Sequence, residues 1–342
     1  MKPRSNNIKN LTHGSLLILI AGLILVVTVL VSFSLGRYPL KITDILTFFF
    51  TGNSSDPNLP IVLAKVRLPR ILGAVITGGA LSIAGVSFQT MFRNPMVSPD
   101  ILGVTSGAGF GASLAILLSL NIFGIQSFAF VFGIAAVLLA YGISRALSQT
   151  HDKTLMLVLS GMVVSTFFAS LISLMKYVAD SDSKLPSITF WLMGSLASIN
   201  MGDLKIVIPI VLCGLIPLLL VSWRMNVLSF GDEEAKAMGV NTDKLRVLII
   251  ICASLLTATV IAITGHIGWI GLIIPHFARL ITGPDNKVLL PFSFFLGGSF
   301  LLIVDDFARS VSALEIPLGI ITSLLGAPFF LIFLRQSQKR SW

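Results

Sequence analysis

Residues 101–144 read ILGVTSGAGFGASLAILLSLNIFGIQSFAFVFGIAAVLLAYGIS and contain no Asp, Glu, Lys or Arg. A membrane-crossing helix needs about 20 consecutive apolar residues, so this run is long enough to cross a bilayer twice. A break is expected at Asn121 to Gln126, around Gly124. Residues 247–278 repeat the situation, with a break at Thr264 to Trp269 through Gly265 and Gly268. Further charge-free runs cover 10–36, 71–92, 154–175, 206–223, 288–304 and 316–334. Together they predict an all-α, polytopic membrane protein of about ten spans. We place the spans at 14–35, 71–92, 101–120, 127–144, 154–175, 206–223, 247–264, 269–279, 288–304 and 316–334, in one transmembrane domain covering 1–342.

Composition agrees. Of 342 residues, 55% are apolar and only 11% are charged. Ordinary soluble domains carry roughly 25% charged residues, enough to coat a surface, and this chain lacks them. Disorder is excluded as well, because disordered chains are poor in apolar residues. Cys213 and Cys252 lie singly in apolar runs, which rules out a disulfide scaffold or a CxxC site.

The net charge is +9, and its distribution sets an expected orientation rather than suggesting nucleic acid. With the N-terminus inside, segments 1–13, 92–100, 143–154, 222–246, 275–290 and 335–342 carry 15 Lys and Arg against 7 Asp and Glu. The outer segments 36–70, 176–205 and 305–317 carry 9 and 8. Cytoplasmic loops collect Lys and Arg, so both termini are expected in the cytoplasm. On this reading no charge lies within a span. Ion-coupled carriers usually need an ionisable group there, so proton or sodium coupling is disfavoured. An ion-coupled secondary transporter stays as the alternative, since backbone-carbonyl sites would escape this argument.

Lipid gives helices no hydrophobic reason to associate, so small residues that permit close contact matter. Gly103, Gly107, Gly111 and Ala115 form one such stripe, and Ala74, Gly78 and Ser82 another, which predicts tight packing for both segments. In span 154–175, Met162, Thr166, Ser170 and Ser173 share one mildly polar face. That face suits a path for a bulky solute, and hydroxyl bonding to the helix's own backbone suits it equally.

The largest cytoplasmic insertion is 222–246. Ser229 and Asp232 have the spacing of a capping box, with Ser229 as N-cap. Asp232, Glu233 and Glu234 suit a first helical turn, where the helix dipole favours negative charge. Gly231 and Ala235 lie within the same segment, and Gly239 is placed to end the helix in a left-handed cap. Asn241 can cap the helix that follows. A short, self-capped helix between two spans reads as a docking element. On the outer side, Arg67, Pro69 and Arg70 precede the second span, and Asp305-Asp306-Phe307-Ala308-Arg309 follows the ninth. These arginines are expected at the outer surface, facing a partner or lipid headgroups. No Gly-Lys dipeptide occurs, so there is no GxxxxGKS/T phosphate loop, and no HExxH or GxSxG motif is present. If ATP drives this protein, another chain must bind it.

These residues resemble the permease subunits of ABC importers for ferric siderophores, haem and vitamin B12, the FecCD-like or type II importers. The resemblance runs over roughly 14–335. It is carried by Arg67-Leu-Pro-Arg70, Gly79 to Gly85 with Gln89, Asn94-Pro95, and Pro99 to Gly103 with Gly107. It continues through Trp191 to Leu196, Gly231 to Gly239, Gly268 to His276 with Arg279, Gly283-Pro-Asp285, Asp305, Arg309, Pro317-Leu-Gly319 and Gly326-Ala-Pro328. It implies a non-enzymatic ten-helix permease of a prokaryotic inner membrane that binds no cofactor itself. Its implied partners are a second permease copy or paralogue, two cytoplasmic ATPase subunits using ATP-Mg, and an extracytoplasmic binding protein. It further implies that the helix in 229–239 docks on the ATPase, that Arg67 and Arg309 meet the binding protein, and that an iron–siderophore-type chelate leads as cargo, with haem, cobalamin and oxyanions such as molybdate open beside it.

Overall fold

A computed structural model describes residues 4–36, 57–147, 153–311 and 314–339, together with 43, 44 and 47. Part of the outer segment 36–70 therefore lies outside the described residues. The regular structure among the described residues is all helical, with no strand among them. In chain order the helices are α1 (Arg4–Ser34), α2 (Leu68–Phe92), α3 (Val104–Leu117), α4 (Ile122–Leu147), α5 (Lys153–Val178) and α6 (Lys184–Met193). They continue as α7 (Met201–Leu220), α8 (Ser222–Leu228), α9 (Asp232–Ala237), α10 (Thr242–Thr264), α11 (Ile270–Thr282), α12 (Asn286–Val311) and α13 (Leu318–Lys339). Seven described segments are long and apolar enough to cross a membrane. Val104–Leu117, Ile270–Thr282 and Leu318–Leu331 are shorter apolar helices beside them.

The two long charge-free runs each divide. α3 ends at Leu117 and α4 starts at Ile122, where the Asn121 side chain accepts from the Gly124 amide at 2.8 Å. The break therefore precedes Gly124, which belongs to α4. The second run divides at 265–269, between α10 and α11. α6 was not anticipated, because Lys184 and Pro186 gave that segment the look of an outer loop.

The bundle is organised around α2, which is buried along nearly its whole length. A π-helical turn, Val62–Arg67, runs directly into it, so the helix starts before the expected position 71. The small-residue stripes do permit close packing, each on a different neighbour. A Cβ added at Gly78 would lie 2.1 Å from the carbonyl oxygen of Gly297 on α12. One at Gly107 or Gly111 would lie 2.4 or 2.3 Å from a backbone oxygen of α4, at Phe132 or Phe128. Backbone thus approaches backbone, the contact that only glycine allows between membrane helices.

Candidate functional site

The segment between α7 and α10, expected in the cytoplasm, is a built structure. α8 runs from Ser222 to Leu228, and Ser229 closes it, donating from Oγ to the Asn226 carbonyl at 2.6 Å. The expected capping box is thereby corrected. Ser229 already serves the preceding helix, and α9 starts after Gly231, at φ +132°, with no side-chain cap. Asp232, Glu233 and Glu234 do occupy its first turn. Glu234 lies beside Gly231, where an added Cβ would sit 2.2 Å from its Oε2.

Two interactions hold α9 down. Ala235, on the inner face of α9, is fully buried. Arg246, on the first turns of α10, donates to Asp232 at 2.8 Å and to Thr154 on α5 at 2.8 Å. At the far end Gly239 adopts φ +79° and the Val240 amide donates to the Ala235 carbonyl at 2.9 Å, closing the helix as expected. Asn241 then caps α10 by accepting from the Lys244 amide at 3.0 Å. Phe230 and Met238, at either end of α9, are 69% and 53% exposed. A rigidly held helix flanked by two projecting apolar side chains has the form of a docking element.

Sequence reasoning missed the residue that ties this element to the bundle. Asn226 accepts from the backbone amide and the side-chain amide of Asn286, both at 2.8 Å, and donates to Asp285 at 2.6 Å. α8 is thus fastened to the start of α12. The Gly283-Pro-Asp285 turn was the only hint, and its partner lies about sixty positions away.

At the outer end the expected exposed arginines are buried, which is a correction. α12 does not stop at 304 but continues to Val311, carrying Asp305, Asp306 and Arg309 inside the bundle. Asp305 is 0%, Arg67 3% and Arg309 6% exposed. Burial of these charges is tolerable because they are paired and hydrogen-bonded. Arg70 grips Asp305 and also binds Glu315 at 2.9 Å. Arg309 pairs with Asp306 and donates to the Ser32 carbonyl and hydroxyl oxygens at 2.8 and 2.7 Å. Ser32 in turn donates to Asp306 at 2.7 Å. Arg67 donates to the Phe33 carbonyl. The network joins α1, α2 and α12.

On α5, Met162, Thr166, Ser170 and Ser173 share an exposed face, opposite buried Ser160, Gly161, Val164 and Phe168. Thr166, Ser170 and Ser173 each donate to the carbonyl four residues earlier, at 2.9, 3.0 and 3.1 Å. Their hydrogens are satisfied within the helix, leaving a smooth, weakly polar surface. Among the described residues no group of His, Cys, Asp or Glu is arranged to hold a metal ion.

A helical bundle with spans long enough to cross a membrane and a short helix clamped between two of them has the form of a membrane transport subunit. Comparison narrows the class. The model of the FecCD transport family matches residues 24–336, and the chain belongs to that family. It is 44% identical to the molybdate import system permease protein MolB of Haemophilus influenzae, over 90% of this chain and 92% of that one. It is 41% identical to the cobalamin import system permease protein BtuC of Halobacterium salinarum, over 82% and 75%. Among solved structures, an inward-facing putative metal-chelate type ABC transporter superposes with TM-score 0.84 at 41% identity, covering 93% of this chain and 98% of that one. The chain is thus an ABC importer permease, a multi-pass protein of the prokaryotic inner membrane. ATP hydrolysis lies in separate subunits, and this chain is not an enzyme.

Proposed function

We propose that two copies of this chain, or this chain and a paralogue, form the pathway of a binding-protein-dependent importer for an iron–siderophore-type metal chelate. One observation carries the mechanism: α9 is clamped to the membrane helices through Arg246 and Ala235 while Phe230 and Met238 project outward. An ATPase subunit closing on ATP would push α9, and Arg246 and Asn226 would pass the motion to α10, α5 and α12. The exposed faces of α5 and α13 would meet across the symmetry axis, with Met162, Thr166, Ser170 and Ser173 along the path. Walls that make no strong contact suit a conduit, because a ligand bound equally in both states shifts no equilibrium. Selection then rests with the extracytoplasmic binding protein. Arg67 and Arg309 would serve its docking by holding the outer ends of α1, α2 and α12 in register.

The metal-chelate cargo is supported by the solved relative of 41% identity. A molybdate-like oxyanion is the second reading, favoured by the 44% identity to a molybdate permease. Proteoliposomes holding the chain, its ATPase and its binding protein separate the two. ATP-dependent uptake of radioiron-labelled siderophore supports the first, and uptake of labelled molybdate the second. Uphill uptake by the chain alone on a cation gradient would overturn the importer reading.

A further inference from the structure

Two clefts between α4 and α10 run into each other. The first, of about 500 Å³, opens at the end of the bundle that carries α9. Arg145, Lys153, Lys244 and Arg246 line its mouth with Asp243, and Arg246 also reaches Asp232 outside the lining at 2.8 Å. Asp243 is taken by Lys153 at 3.0 Å. The Nε of Arg246 is buried and finds no acceptor among the described residues. An unpaired guanidinium N–H beside a basic cleft is a donor that an anion could satisfy.

The second cleft, of about 420 Å³, shares Tyr141, Val247 and Ile250 with the first and has an almost wholly apolar lining. Leu138 and Ile251 on its rim are well exposed, so it opens sideways toward the surrounding lipid. Ile251 to Leu255 lie about 7–13 Å along the α10 axis from Arg246, by the rise of 1.5 Å per residue. The combination is a cationic mouth at headgroup level continuing into an apolar groove at acyl-chain depth. A free phosphate compound would use only the first half of it.

We propose that this paired cleft binds an anionic phospholipid of the cytoplasmic leaflet, with its phosphate among Arg145, Lys244 and Arg246 and one acyl chain between α4 and α10. Basic pockets between membrane helices on the cytoplasmic side have this chemistry. The lipid phosphate and α9 would share one guanidinium, since Arg246 also holds Asp232. That consequence rests on the coupling reading above, whereas the binding site does not.

Native mass spectrometry of the purified full chain tests it, with phosphatidylglycerol and phosphatidylcholine of identical acyl chains. Phosphatidylglycerol should be retained at a concentration lower by about fivefold or more, the gain that about one surface cation supplies. The double variant Arg145→Gln/Lys244→Gln should remove that preference. Leu255→Trp, which leaves every charge in place and fills the groove, should weaken retention of both lipids. Excess glycerol phosphate should displace neither. Equal retention of the two lipids by the wild type, or an undiminished preference in the double variant, would overturn the site. Displacement by glycerol phosphate would overturn the lipid assignment in favour of a soluble phosphate compound.

Discussion

Arg70 and Asp305 lie 235 positions apart in the chain and meet through one edge of the guanidinium, formed by Nε and Nη2. Nε stands 3.1 and 2.9 Å from the two carboxylate oxygens, and Nη2 2.8 Å from the first. Asp305 has no exposed surface. The pair pins the start of α2 to the outer end of α12.

Breaking this pair on one side leaves an uncompensated buried charge, which typically costs 3–5 kcal/mol. Arg70→Met should therefore lower the thermal unfolding midpoint of the detergent-purified chain strongly. Arg70→Met/Asp305→Leu should recover much of the loss, because both charges leave together. A single variant as stable as the wild type would show that the pair is not buried as described.

The α2–α12 contact gives a second prediction. A Cβ at Gly297 would lie 2.0 Å from the Ser82 hydroxyl and 2.4 Å from the Gly78 carbonyl oxygen. Backbone cannot yield as a side-chain tip can, so Gly297→Ala should destabilise by about 1–3 kcal/mol. Gly22 on α1 has nothing within 4 Å of such a Cβ, and Gly22→Ala should be neutral or slightly stabilising. Equal unfolding midpoints for the two variants would refute the close approach.

The long charge-free runs made the membrane helices legible, because the cost of placing charge in hydrocarbon leaves a mark on every stretch of sequence. The partners were not legible. Gly78 announces that something approaches closely, but only the folded chain shows that it is Gly297 rather than the Gly107 stripe. Asp305 reads as the start of a watery loop because its compensating group, Arg70, is distant in sequence. Ser229 failed for a local reason. A serine between two short helices can close the first or open the second, and the sequence spacing fits both.

That ambiguity is itself testable. Ser229 does not accept from the first amides of α9, so Ser229→Ala should change stability by no more than about 0.5 kcal/mol, the usual range for a residue without a special role. Asn241 does accept from Lys244, and Asn241→Ala should cost about 1 kcal/mol. Chemical denaturation of both variants in the same detergent checks the order. A Ser229→Ala cost exceeding that of Asn241→Ala would restore the capping box.

The docking role of α9 predicts a separation of stability from assembly. Phe230 and Met238 project from the bundle, so Phe230→Ala/Met238→Ala should leave the unfolding midpoint within about a degree while reducing co-purification of the ATPase subunit severalfold, as loss of apolar anchors does. Gly239→Val should act differently. At φ +79° a β-branched side chain is strained, so the helix end would shift and ATP hydrolysis would continue without matching uptake. Full retention of the ATPase by the double variant would remove α9 from the interface.

Arg309 distinguishes a supporting group from a contacting one. A surface arginine that merely touches the binding protein could be reversed in sign without harm to the isolated permease, and its contact would fade with salt. Arg309 instead lies between Asp306 and the Ser32 carbonyl, 6% exposed, where salt reaches it poorly. Arg309→Glu would set a third carboxylate beside Asp305 and Asp306, so the isolated chain should lose several degrees of thermal stability before any partner is added. Binding-protein affinity should fall with it, and the wild-type affinity should vary little between low and moderate salt. A stable Arg309→Glu chain whose binding-protein affinity is nonetheless abolished would place the guanidinium in direct contact with the partner and take away its role as a support.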